Sequence, residues 1–154
     1  MLSNCFEVME SIVTTDDQNL AHVPQLLSEG KVVVLRRPKG NSMLPFIRGE
    51  MDSVKLRKAE GVKVGHIVLA LCNGRPIVHR VVALDGRKVT LMGDGNIEGT
   101  ERIDLANVLG IVDEIIAPTG RSHKPGNGWL WRKLLPVRKY LLKAYRKWNR
   151  TFIK

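Results

Sequence analysis

Cysteine is scarce in this 154-residue chain, which holds Cys5 and Cys72 and no others. Two thiols make neither a disulfide framework nor a metal site, and a reducing compartment is the default expectation. Apolar runs of membrane-spanning length are missing too, which argues against an integral transmembrane helix. The opening stretch, MLSNCFEVMESIVTTDDQ, lacks a basic n-region and carries Glu7, Glu10, Asp16 and Asp17. That charge pattern argues against a secretory signal. Acidic residues are absent from 121–154, which hold eleven Lys or Arg, all three Trp and both Tyr. Residues 1–120 set fourteen basic residues against fifteen acidic ones, so the net charge of +10 belongs to the tail. Disorder is excluded by composition, with 44% hydrophobic and 26% charged residues. The length fits one domain with an appendage, and such a chain buries roughly two-thirds of its unfolded surface without staples.

What is present reads mostly as strands. Residues 19–29 form an expected short helix with Pro24 in its first turn, closed by Gly30. Lys31–Leu35 holds three consecutive Val, and Asp52–Arg57 alternates apolar with polar residues; both read as strands. His66–Cys72 and Arg75–Leu84 flank Asn73-Gly74, the signature of a type I′ hairpin. Asp85-Gly86 repeats the device before Arg87–Met92, and Leu109–Ala117 is a last strand before Pro118 and Gly120. The body is mainly β, built on antiparallel hairpins, with no internal repeat.

Three places carry candidate chemistry. Ser42 lies on a constrained bend, Gly40-Asn41-Ser42-Met43-Leu44-Pro45, which presents a hydroxyl as a nucleophile requires. The ordinary role of a turn serine is structural. His79 interrupts the apolar strand Ile77–Val82. A buried imidazole needs partners at both nitrogens, and its ordinary pKa near ~6.5 suits a general base. Asp94, in Gly93-Asp94-Gly95-Asn96 just past the third hairpin strand, is either a turn residue or the group that orients His79. The other histidines have plainer readings: His66 at the surface, His22 in the first helix and His123 in a loop. Cys72 reads as a core residue.

Taken in order, these pieces resemble the type I signal peptidases and their relatives, the self-cleaving repressor proteases. The resemblance spans Lys39 to Asn96 and a closing strand. It rests on Gly40-Asn41-Ser42-Met43-Leu44-Pro45, Arg48-Gly49-Glu50-Met51-Asp52-Ser53-Val54, Val64-Gly65-His66-Ile67-Val68, Ile77-Val78-His79-Arg80-Val81, Gly93-Asp94-Gly95-Asn96 and Val108-Leu109-Gly110-Ile111-Val112. It implies a signal-peptidase/LexA-like β fold and a serine endopeptidase. Lys occupies the base box in the bacterial enzymes; His before Arg, as in His79-Arg80, resembles the endoplasmic-reticulum and archaeal type. Ser42 is the implied nucleophile and His79 its base. Gly40, Asn41, Met43 and Pro45 are the expected substrate-binding residues. No metal and no cofactor is expected. Gly40 stands where signal peptidases often carry a hydroxyl residue that helps the oxyanion hole. Thr100 stands where the His-type family carries its acid, which leaves Asp94 first, then Glu98, Glu101 or Asp104.

The expected division is an N-terminal helical segment, 1–30, a catalytic β domain, 31–118, and a basic aromatic tail, 119–154. Within the tail Leu130, Leu134, Val137, Leu141, Tyr145, Trp148 and Phe152 recur every three or four residues, a basic amphipathic helix broken or started at Pro136. Three fates compete for it: docking on the body, lying on an anionic membrane surface through residues 129–152, or binding nucleic acid. The last is disfavoured because no recognition fold accompanies the charge. The expected partner is a peptide or protein substrate, and the expected location cytoplasmic, peripheral on the inner membrane surface if the tail binds lipid. The rival reading, favoured by Thr100 in the acid's place, is a catalytically weak or inactive peptide-binding module of the same fold, membrane-associated. A repressor-like regulator is disfavoured because the N-terminus is too short for a DNA-binding domain.

Overall fold

The structure is a computed structural model and describes residues 10–13 and 20–152. Cys5, Glu7, Asp16 and Asp17 lie outside the described residues. Among the described residues nine strands form one hydrogen-bonded sheet: β1 (Glu10–Val13), β2 (Val32–Leu35), β3 (Ser53–Arg57), β4 (Ile67–Cys72), β5 (Arg75–Asp85), β6 (Lys88–Met92), β7 (Glu101–Asp104), β8 (Val108–Ile116) and β9 (Ser122–His123). Their order is β1-β2-β3-β8-β4-β5-β6-β7, with β9 paired to β8. All pairings are antiparallel except β1 with β2, which is parallel. The mainly β reading therefore holds, whereas the segment 1–30 is not purely helical. Besides β1 it contributes a 3-10 turn at Leu20–His22 and the helix α1 (Val23–Ser28), which has Pro24 in its first turn.

The middle of the sheet explains why β4 reads as an unbroken apolar run. Ile67 and Leu69 enter one core with Val23, Leu27, Leu35 and Leu56, while Val68 and Ala70 enter a second with Val81, Leu91 and Ile103. A strand buried on both faces has no polar side to show. β8 does the same, with Leu109, Val112 and Ile115 in the first core and Val108 and Ile111 in the second. Its pairing skips Leu109 opposite β4 and Asp113 opposite β3. Each such bulge resets which side chains face which core.

The hairpins differ in detail from their sequence signals. Asn73 (φ 51°) and Gly74 (φ 76°) are both left-handed, as a type I′ turn demands. Asp85 instead pairs with Lys88, so the second turn is centred on Gly86-Arg87, with φ of 58° at Gly86. That is the Gly-first pattern of a type II′ turn, one residue later than expected. β7 and β9 carry no strong strand pattern and were not expected.

The tail forms α2 (Trp129–Lys133), a 3-10 turn at Leu135–Val137, and α3 (Arg138–Phe152). Pro136 lies at the break between the helices, because its ring removes a helical donor.

Candidate active site

The loop after β2 is a tight backbone sandwich. Gly40 is left-handed (φ 88°), and the Glu50 N–H closes the loop on the Pro38 carbonyl at 2.9 Å. A Cβ on Gly49 would collide with the Gly40 carbonyl. Arg48 and the buried Asp52 form a bidentate pair at 3.1 and 2.8 Å, and the Asp52 carboxylate raises the Arg48 pKa. Within this frame Ser42 starts a turn in which the Phe46 and Ile47 N–H groups bond the Met43 carbonyl at 3.0 Å. Met43 and Ile47 sink into the first core and anchor the turn, leaving Ser42 half-buried at the edge.

β5 brings His79 to that serine. His79 Nε2 stands 3.1 Å from Ser42 Oγ, and Nδ1 stands 2.8 Å from Glu101 Oε2. The imidazole is 6% exposed and has a partner at each nitrogen, as burial requires. With the carboxylate ionised and the imidazole neutral, Nδ1–H donates to Glu101 and Nε2 turns its lone pair to the serine hydroxyl. Glu101 begins β7 and pairs with Leu91 across β6. β6 ends at Met92, opposite Arg80, so the ladder stops one residue short of His79.

Asp94 does not orient His79. It is fully committed to Arg80, the next residue on β5, whose side chain projects to the opposite face of the strand. Arg80 Nε lies 2.9 and 3.0 Å from the two Asp94 carboxylate oxygens, and Nη2 lies 2.7 Å from Oδ2. Both residues are buried, Arg80 completely. Arg80 Nη1 also donates to the carbonyls of Gly65 and Gly126 at 2.8 and 3.1 Å, and the guanidinium lies over the Phe46 ring. The physical reason is that a buried guanidinium needs a bidentate acceptor, and the pairing of Arg80 with Met92 across β5 and β6 sets Asp94 beside it. Glu98 is exposed, and Asp104 caps the following 3-10 turn through the Ala106 N–H at 2.9 Å. Of the four acids open to the sequence, Glu101 is the one at the imidazole. Thr100, immediately before it, is exposed.

The Gly93-Asp94-Gly95-Asn96 box has a positional role instead. A Cβ on Gly93 would stand 2.3 Å from the Ser42 carbonyl oxygen, and one on Gly95 2.5 Å from that of Asn41. The Gly95 N–H donates to the Ser42 carbonyl at 2.7 Å, and the Asp94 N–H to Met43 Sδ at 3.5 Å. Two glycines let one backbone lie flat against the other, and this close approach fixes the serine loop.

A cleft of about 120 Å³ opens beside Ser42 and His79. Gly40 and Met43 line it with Pro38, Lys39, Ile47 and the Pro76–Val78 stretch of β5. Asn41 and Pro45, expected at the substrate, are not in its wall. Asn41 is exposed, and its carbonyl packs at Gly95.

Two supporting residues escaped the sequence reading. Trp131 in α2 donates its indole N–H to the Asp94 carbonyl at 2.8 Å. Arg138, the first residue of α3, donates to the carbonyls of Asn96 and Trp131 at 3.2 and 3.0 Å and lies over the Trp131 ring. Burial pushes the Arg138 pKa down. Gly128, left-handed at φ 63°, admits this arrangement: a Cβ there would stand 2.6 Å from Arg80 Cζ.

His22 and His123 are exposed, and Cys72 is half-buried against the second core. His66 is half-buried, and its Nδ1 accepts the Lys63 N–H at 3.1 Å. Among the described residues no group of His, Cys, Asp and Glu is arranged to hold a metal ion. Compared with known proteins, the chain matches no protein-family model and no curated protein.

Proposed function

We propose that this protein is a serine endopeptidase of the signal-peptidase-like kind, with Ser42 as nucleophile, His79 as general base and Glu101 as the acid that orients it. The observation that carries the reading is the continuous chain from Ser42 Oγ through His79 to Glu101, with links of 3.1 and 2.8 Å. In the reaction Ser42 Oγ bonds to the peptide carbonyl carbon while its proton passes to His79 Nε2. Glu101 stabilises the imidazolium at Nδ1. The imidazolium then gives that proton to the leaving amine as the C–N bond breaks. Water, deprotonated by His79, hydrolyses the acyl ester and restores Ser42. The Ser42 N–H precedes the first bonded donor of its turn, that of Leu44, and serves as an oxyanion donor. An extended peptide laid along the Pro76–Val78 edge of the cleft meets the serine side-on.

The rival reading, a binding module without turnover, drew its support from Thr100 in place of the acid. Glu101, 2.8 Å from the imidazole, supports the enzyme instead. Labelling with a fluorophosphonate separates the two. The wild type is expected to label at Ser42, and Ser42→Ala to fold normally and stay unlabelled. A wild type that neither labels nor cleaves a casein or peptide-library substrate refutes the endopeptidase.

A further inference from the structure

The tail meets the body along one line and leaves another solvent-exposed. Trp131, Arg138 and Leu142 are turned inward, and Arg138 and Leu142 are each 2% exposed. Tyr140, Leu141 and Trp148 are 63%, 40% and 65% exposed. With Ala144 they occupy positions i, i+1, i+4 and i+8 of α3, one contiguous arc of the helix. Trp129 and Leu130 of α2 are exposed as well. Lys143 and Lys147, three and seven residues after Tyr140, border the arc on its outer side. The Lys133 ammonium lies over the Trp129 ring and that of Lys139 over Tyr140, so cations stand beside two of the three exposed aromatic rings.

We infer that this face of α2 and α3 is a peripheral binding surface for an anionic lipid bilayer. The occupant follows from charge and chemistry together. Residues 121–154 contain no carboxylate side chain, while residues 1–120 sum to −1, so attraction to an anionic surface is confined to the tail. Exposed Trp and Tyr bordered by Lys match the boundary between headgroups and acyl chains, where a ring is half dry and an ammonium reaches phosphate. No helix among the described residues is long and apolar enough to cross a membrane. The same helices grip the Asp94 and Asn96 carbonyls behind the Ser42 loop, which fixes the cleft in a set orientation to the bilayer.

The test is flotation of the full chain with vesicles of pure phosphatidylcholine and with vesicles in which a third of the lipid is phosphatidylglycerol. Binding is expected to be at least tenfold stronger on the anionic vesicles and to weaken at high salt. Each cation near such a surface contributes about fivefold. Leu141→Asp with Trp148→Asp removes the apolar arc, and Lys143→Glu with Lys147→Glu reverses its border; each pair is expected to cost tenfold or more. Trp148→Phe keeps the arc and its binding, and melting curves establish that every variant is folded. Equal partitioning of wild type and both pairs, or equal binding to the two lipids, overturns the inference. So does a duplex DNA or RNA probe that displaces the vesicles and still binds the apolar-arc variant, and so does a wild-type dimer that ignores vesicles and dissociates in that variant. None of these readouts uses peptidase activity, so failure here leaves the Ser42–His79–Glu101 reading standing.

Discussion

Replacing Asp94 by Ala separates a structural role from a catalytic one. Arg80 is 0% exposed and loses three hydrogen bonds of 2.7–3.0 Å in this variant. A buried charge stripped of its partner costs about 3–5 kcal/mol. Arg80 keeps the carbonyls of Gly65 and Gly126 and the Phe46 ring, which sets the loss at the lower end, about 3 kcal/mol. In a protein of this size each kcal/mol moves the melting temperature by about 2–4 °C, so a fall of about 6–12 °C is expected. Thermal unfolding followed by circular dichroism, with a urea titration at constant temperature, measures it. Arg80→Met combined with Asp94→Leu is expected to recover most of the loss, because two apolar side chains fill the space with no orphan charge. An Asp94→Ala protein that melts within about 2 °C of wild type refutes the structural assignment. A double variant no more stable than the single one refutes the orphan-charge argument.

Glu101→Gln is expected to lower kcat by about 100-fold or more while leaving the melting curve nearly unchanged, since Glu101 is partly exposed and Gln cannot stabilise the imidazolium; a drop below tenfold removes Glu101 from the mechanism. Gly95→Ala, which sets a Cβ against the Asn41 carbonyl, is expected to displace the serine loop and abolish labelling of Ser42; unchanged labelling shows that the contact does not position the nucleophile. The pH dependence of stability carries a signature of His66, whose pKa is lowered from 6.5 by burial first and then by the Arg57 and Lys63 charges. The unfolded chain therefore binds that proton before the folded one does, and stability present above pH 6.5 is lost on acidification through the folded pKa. His66→Asn is expected to flatten that loss between neutral pH and pH 5, and an unaltered slope assigns it elsewhere.

Ser42 and His79 were legible because each sits in a short string with its own local logic, a constrained bend and an interrupted apolar strand. Their meeting depends on β5, whose hairpin is announced by Asn73-Gly74. Glu101 was harder to single out. Its strand, Glu-Arg-Ile-Asp, buries only Ile103, so no alternation marks it, and its reach to His79 exists only once β7 has paired with β6. Asp94 drew attention because it follows the neighbouring strand, but the register of β5 with β6, Arg80 opposite Met92, sets it beside Arg80. The tail's contact with the body was hard to read for a different reason. Apolar periodicity picks out Leu141 and Trp148, whereas the contact with the body runs through Trp131, Arg138 and Leu142. A buried arginine is invisible to a hydrophobic stripe, and its partners here are carbonyl groups that no side-chain pattern encodes. The parallel pairing of β1 with β2 likewise leaves no trace in either strand's composition.

The cage around Arg80 has a temporal meaning as well. Its walls come from Gly65, Asp94, Gly126 and, through the Asp94 carbonyl, Trp131. A ribosome delivers these in order, and Trp131 follows His79 by about 3–10 seconds at ordinary rates of synthesis. Until then the guanidinium beside His79 lacks part of its enclosure, and the loop bearing Ser42 lacks its backing. The hydroxyl and the imidazole are thus made before the segment that backs the serine loop.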